Sequence, residues 1–174
     1  MNLQEWQAAA RQNLTRLAGS LRRLAPDTLY GFLAAATLLP VVTAANQGDF
    51  AALATLGSVI GGVGGNLVAN QIQAWKDRSQ AELAADLQQA ATSHPAWRDE
   101  LDKVLERLDA IQAVRQTLEA ADRTWFQDAL KQELTALGNL SKFEAQLSGT
   151  GAIAQGDRAT AAQSRSIAAQ RLEG

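Results

Sequence analysis

The chain has 174 residues, no cysteine, one histidine and a formal net charge of −2. That length allows one domain of ordinary size, or a small one with appendages. The missing cysteine excludes disulfides, thiolate catalysis and cysteine-held zinc, and a lone His94 leaves no His-based metal site or catalytic triad. Phosphate binding needs a clustered basic surface, so nucleic acid is not an expected partner. Charge is distributed in blocks. Residues 1–27 hold four arginines against Glu5 and Asp27, residues 28–75 hold only Asp49, and residues 76–148 hold nine basic and thirteen acidic groups.

Residues 1–27 predict an amphipathic basic helix. Leu3, Trp6, Ala10, Leu14, Leu17, Leu21 and Leu24 recur at spacings of three and four, which gathers them on one face. Arg11, Arg16, Arg22 and Arg23 fall mostly elsewhere. Pro26 stops the helix, and Asp27 or Thr28 can cap the next. The stripe packs on the rest of the domain or, as the alternative, lies on an anionic membrane with Trp6 inward. The start of the chain reads as this helix and not as a cleavable leader.

Residues 28–75 predict an uncharged helical hairpin. Two apolar runs, 28–45 and 50–75, are joined by Asn46-Gln47-Gly48-Asp49, a turn by composition. Each run is about as long as the roughly 17–25 residues that cross a bilayer. Arg22 and Arg23 precede the pair and Lys76 and Arg78 follow it, so two crossings with both ends cytoplasmic fit the positive-inside pattern. A buried soluble hairpin is the alternative. Pro40 predicts a kink. Gly57, Gly61, Gly62, Gly64 and Gly65 crowd into nine residues, with GxxxG spacing between the first two. Glycines in a helix clear one face and let a second backbone approach, so these five are the expected helix–helix contacts, and a homo-oligomer is the expected state.

Residues 76–148 predict charged amphipathic helices. Pro95 opens a helix running to about residue 120, and Asp122 caps another that Gly138 ends. Trp97, Leu101, Val104, Leu108, Ile111, Phe126, Leu130 and Leu134 form the apolar stripe, a bundle core first and a partner surface second. The fold class is therefore all-α. Residues 149–174 form an Ala/Gly/Ser-rich low-complexity tail, in which Ala152-Ile153-Ala154 returns as Ser166-Ile167-Ala168.

No motif carries chemistry. The 57–66 stretch lacks the Lys-Ser or Lys-Thr of a Walker A loop, and Leu67 stands where GxGxxG needs its third glycine. The acids Asp99, Glu100 and Asp102 point in different directions on a helix beside Arg98 and Lys103, which predicts a solvated face and not a metal site. No catalytic residue, cofactor or metal is expected, and the chain does not read as an enzyme.

Three stretches carry a resemblance: GGVGGNLVANQIQAWKD, DRTWFQDALKQELTALGNLSKF and SGTGAIAQGDRATAAQSRSIAA. Their order is similar to the N-terminal helical accessory region of bacterial NACHT-type and other STAND defence or signalling proteins. The last resembles the repeat of trimeric autotransporter adhesin heads. The resemblance implies an accessory part without the NTPase or protease engine. It implies self-assembly, a partner protein of a defence or signalling system, or contact with membrane lipid. The expected location is the bacterial inner membrane or its cytoplasmic face, with a cytoplasmic adapter recruiting a partner through residues 95–137 as the alternative.

Overall fold

The computed structural model describes residues 1–61 and 66–148, and among them every regular element is helical. The α-helices are α1 (Leu3–Ala18), α2 (Leu29–Asn46), α3 (Phe50–Ile60), α4 (Leu67–Gln71), α5 (Gln80–Ser93), α6 (Pro95–Arg107), α7 (Ala110–Thr117), α8 (Ala120–Leu137) and α9 (Leu140–Ser148). Short 3-10 turns at Leu21–Arg23 and Pro26–Thr28 lead from α1 into α2. One buried apolar cluster runs from Trp6 to Leu147, so the charge blocks of the sequence share a common core.

α2 is the axis of the bundle, touched by α1, α3, α5, α6, α7 and α8. Leu29, Tyr30, Leu33, Leu38, Val41 and Val42 point to different sides of it and all are buried. A helix apolar all round has to be enclosed, and here the amphipathic helices enclose it. The Pro26–Asn46 helix is long and apolar enough to cross a membrane, with mean hydropathy 1.7, and 61% of that apolar window lies inside the protein. The core helix of a water-soluble bundle has the same length and composition.

The second apolar run is not one helix. α3 spans 11 residues and stops at Gly61, whose φ of 71° is the left-handed end conformation that glycine adopts without strain. α6 holds both the end of α3 and the start of α4. Lys103 Nζ donates to the Ile60 carbonyl at 3.0 Å, while Glu100 accepts the N–H groups of Leu67 and Val68 at 3.0 and 2.9 Å. Charges three residues apart on one helix thus serve two helix ends.

Two helix starts close reciprocal capping boxes, Asn2 with Glu5 and Ser79 with Glu82. The helix expected from 95 to about 120 breaks at Asp109, which sits at φ 49°. Asp tolerates this conformation, and the break lets α7 turn onto α1 while Ile111 and Val114 stay buried. Asp122 does not cap α8 with its side chain; it lies in the first turn and binds Arg22 at 2.7 Å, with the Arg22 guanidinium over Trp125. After Gly138 the chain forms α9, which buries Phe143 and Leu147.

Candidate functional site

The polar contacts of greatest consequence gather on α2, because an apolar helix cannot satisfy its own ends. The first turn of any helix has N–H groups without intrahelical partners. Thr28, at the cap position, gives no side-chain hydrogen bond. Instead Tyr30 N–H donates to Glu133 Oε2 on α8 at 2.9 Å, and Gly31 N–H donates to Gln88 Oε1 on α5 at 2.7 Å. Two other helices cap α2.

Gly31 sits where α2 and α5 cross. A Cβ built there would lie 2.4 Å from the Ala84 carbonyl oxygen and 2.8 Å from Gln88 Cβ, too close for any side chain. Gly31→Ala is expected to lower stability by about 2 kcal/mol in urea unfolding, because backbone has to move. Gly57→Ala, with its nearest foreign atom at 3.7 Å, is expected to raise stability by about 1 kcal/mol through helix propensity alone. Equal effects of the two would contradict the packing described.

A second cluster centres on Asp102, only 1% exposed. Its Oδ1 accepts the Tyr30 hydroxyl at 2.7 Å and the Asn139 amide at 2.8 Å, and its Oδ2 accepts Lys142 Nζ at 3.0 Å. Lys142 also reaches Asp99 at 3.1 Å. Burial alone would push the Lys142 amine down, but the two acids outweigh it and the group titrates above its ordinary value. Of the acids expected on a solvated face, only Asp99 is exposed; Glu100 is half-buried and Asp102 is core.

Midway along α2, Pro40 has no N–H and leaves the Ala36 carbonyl without its helical partner. α1 supplies donors there. Asn13 Nδ2 reaches the Ala36 carbonyl at 3.3 Å, and Trp6 Nε1 reaches the Thr37 carbonyl at 2.7 Å.

Beside the start of α2 opens a cleft of about 410 Å³, lined by Asp27, Gln88, Thr92, Gln132 and Glu133 with apolar neighbours. Glu133 is 7% exposed. Its Oε1 has no hydrogen-bond partner among the described residues. Burial raises its carboxyl to about 7, Asp27 adds to the rise, and the Tyr30 N–H and the Gln88 side chain pull the other way.

The residues expected as sites fall differently. Leu101, Val104, Leu108, Ile111, Phe126, Leu130 and Leu134 are buried in the core, and Trp97 is half-buried against Trp75, ring centroids 5.9 Å apart. Gly57 lies in α3 and Gly61 at its end, and no other part of the described chain packs closely on either. Gly62, Gly64 and Gly65, and the tail 149–174, lie outside the described residues. Among the described residues no three His, Asp or Glu side chains gather as metal ligands. Gly31 and Glu133 escaped the sequence reading, one a lone glycine in an apolar run and the other a single acid among many, while Asp102 was expected on a solvated face and lies in the core. Compared with models of known protein families, with curated proteins and with solved structures, the chain has no match.

Proposed function

We propose that this chain is a non-enzymatic helical module that works by association. It pairs with further copies of itself and docks on the cytoplasmic face of a bacterial inner membrane, as an effector or accessory part of a defence or signalling system. The observation that supports this reading is α3. Its 11 residues carry no charge, yet only Ala52, Leu56 and Ile60 are buried. Phe50 stands 81% exposed at its start. Ala51, Ala54, Ser58 and the Gly61 that follows are exposed as well, so the outward side is one ring and then small or absent side chains. Such a side suits close approach to another helix or to acyl chains better than it suits water. The apolar length of α2 directly before it adds weight to the membrane part of the reading.

The enclosure of α2 favours a second reading, a soluble adapter. Its recruiting surface would then be the outward sides of α6 to α8, since the stripe of Leu101, Val104, Leu108, Ile111, Phe126, Leu130 and Leu134 is core.

Flotation with phosphatidylethanolamine/phosphatidylglycerol vesicles, together with a light-scattering mass, separates the two. The wild-type chain is expected to float and to exceed its monomer mass of 18.5 kDa. Phe50→Ser is expected to lose both properties at unchanged melting temperature. A wild-type chain that stays monomeric and unbound overturns the first reading in favour of the adapter.

A further inference from the structure

The polar hold on the start of α2 has an uneven chemistry. Gln88 is neutral at every pH, and its carboxamide caps Gly31 N–H regardless of conditions. Glu133 is different. One of its oxygens takes the Tyr30 N–H, and the other has no donor in a nearly water-free position. As a carboxylic acid it is neutral, and its carbonyl oxygen still caps Tyr30. As a carboxylate it is a buried charge with half of its hydrogen bonding unmade.

The Tyr30 N–H and the Gln88 side chain favour the charged form of Glu133, but burial outweighs both and no cation among the described residues faces it to pair with. The 3-10 turn before α2 contributes Asp27, of the same sign, and α5 contributes the uncharged Gln88. From α6, the Asp102 carboxylate and the Arg98 backbone carbonyl accept from the Tyr30 hydroxyl, and the Arg98 guanidinium turns to the Ala91 carbonyl. Along α8 itself the neighbouring cleft residues Ala129, Gln132, Ala136 and Leu137 are uncharged. Glu133 lines the adjoining cleft, where the ionised side chain can meet water.

We infer that the first turn of α2 is a latch worked by Glu133: protonated, the side chain caps Tyr30 and ties α8 to α2, and ionised, it swings into the cleft and leaves the turn uncapped. The direction follows from burial. The carboxyl is raised from its ordinary 4.5 to about 7 in the closed form, so closure is fully supported below pH 4.5 and weakens as pH rises through 7. The hold that remains above that pH comes from Gln88 and from Asp102 on the Tyr30 hydroxyl. This latch deepens the membrane reading, because it governs the one described helix with the length and hydropathy of a span.

The test is made in solution, without membrane, so that its outcome is separate from that reading. Carboxyl carbon NMR on the wild-type chain is expected to show Glu133 titrating near neutrality. The opening equilibrium at the Tyr30 amide, from hydrogen exchange corrected for intrinsic rate, is expected to rise roughly tenfold between pH 6 and pH 8. Glu133→Gln, neutral and still an acceptor, is expected to abolish that rise. A Glu133 carboxyl titrating in the ordinary range, or the same pH slope in the variant, overturns the latch. If the latch holds but neither protein floats with vesicles at pH 8, the membrane reading fails and the latch stands.

Discussion

Trp6→Ala is expected to lower the unfolding free energy by about 4 kcal/mol, among the larger single effects this fold can show. Trp6 has no exposed surface and anchors α1 on α2. Two losses combine. The fully buried indole leaves a void in the core, and the Thr37 carbonyl loses its 2.7 Å donor next to the gap that Pro40 makes in the helix. Trp6→Phe separates them. It restores most of the volume and none of the hydrogen bond, so its expected loss is about 1–2 kcal/mol. Urea unfolding of the two variants measures the difference. If Trp6→Phe is as damaging as Trp6→Ala, the hydrogen bond dominates and the void counts for little; if it is neutral, the indole N–H does not serve the proline gap.

Asp102→Ala is expected to cost about 3 kcal/mol, again by equilibrium unfolding. The change strands the Asn139 amide in the core, leaves the Tyr30 hydroxyl only the Arg98 carbonyl at 3.4 Å, and frees Lys142. Lys142 is 40% exposed and can turn to water, so most of the loss comes from the two neutral donors. Asp102→Asn keeps an acceptor oxygen for one of them and is expected to lose about half as much. A further signature is local: α9 enters through Asn139 and Lys142, so its amides are expected to exchange faster in Asp102→Ala while those of α1 do not. Uniform acceleration across the chain would show that the cluster fastens no particular helix.

Much of the architecture was legible because helical burial repeats every three to four residues. The stripe of α1 and that of α8 are both found in the core, and the glycine stop after Leu137 lies where periodicity placed it. The breaks were not legible. Leu108 and Ile111 keep their three-residue spacing straight through the kink at Asp109, so the pattern carries no mark of it. The run from 50 to 75 reads as continuous because apolarity alone does not distinguish one long helix from two short ones separated by a glycine end. Glu133 and Asp102 were hidden for another reason. Each lies at the edge of an apolar stripe on a charged helix, and its partner Tyr30 is 103 or 72 residues away. Spacing within a helix cannot report a contact of that range. The glycines illustrate the same limit, since the crowded set drew notice while the backbone contact between helices in the described chain belongs to Gly31.

The capping of α2 by α8 has a consequence for how the protein is made. Glu133 follows Tyr30 by 103 residues. At about 5–20 residues per second, a translating ribosome delivers the apolar helix roughly 5 to 20 s before the side chain that closes it. Early in that interval α1 alone can cover the long apolar helix, and α3, α5, α6 and α7 join it before α8 arrives. The order in which the enclosing helices leave the ribosome therefore sets how long this segment stays uncovered.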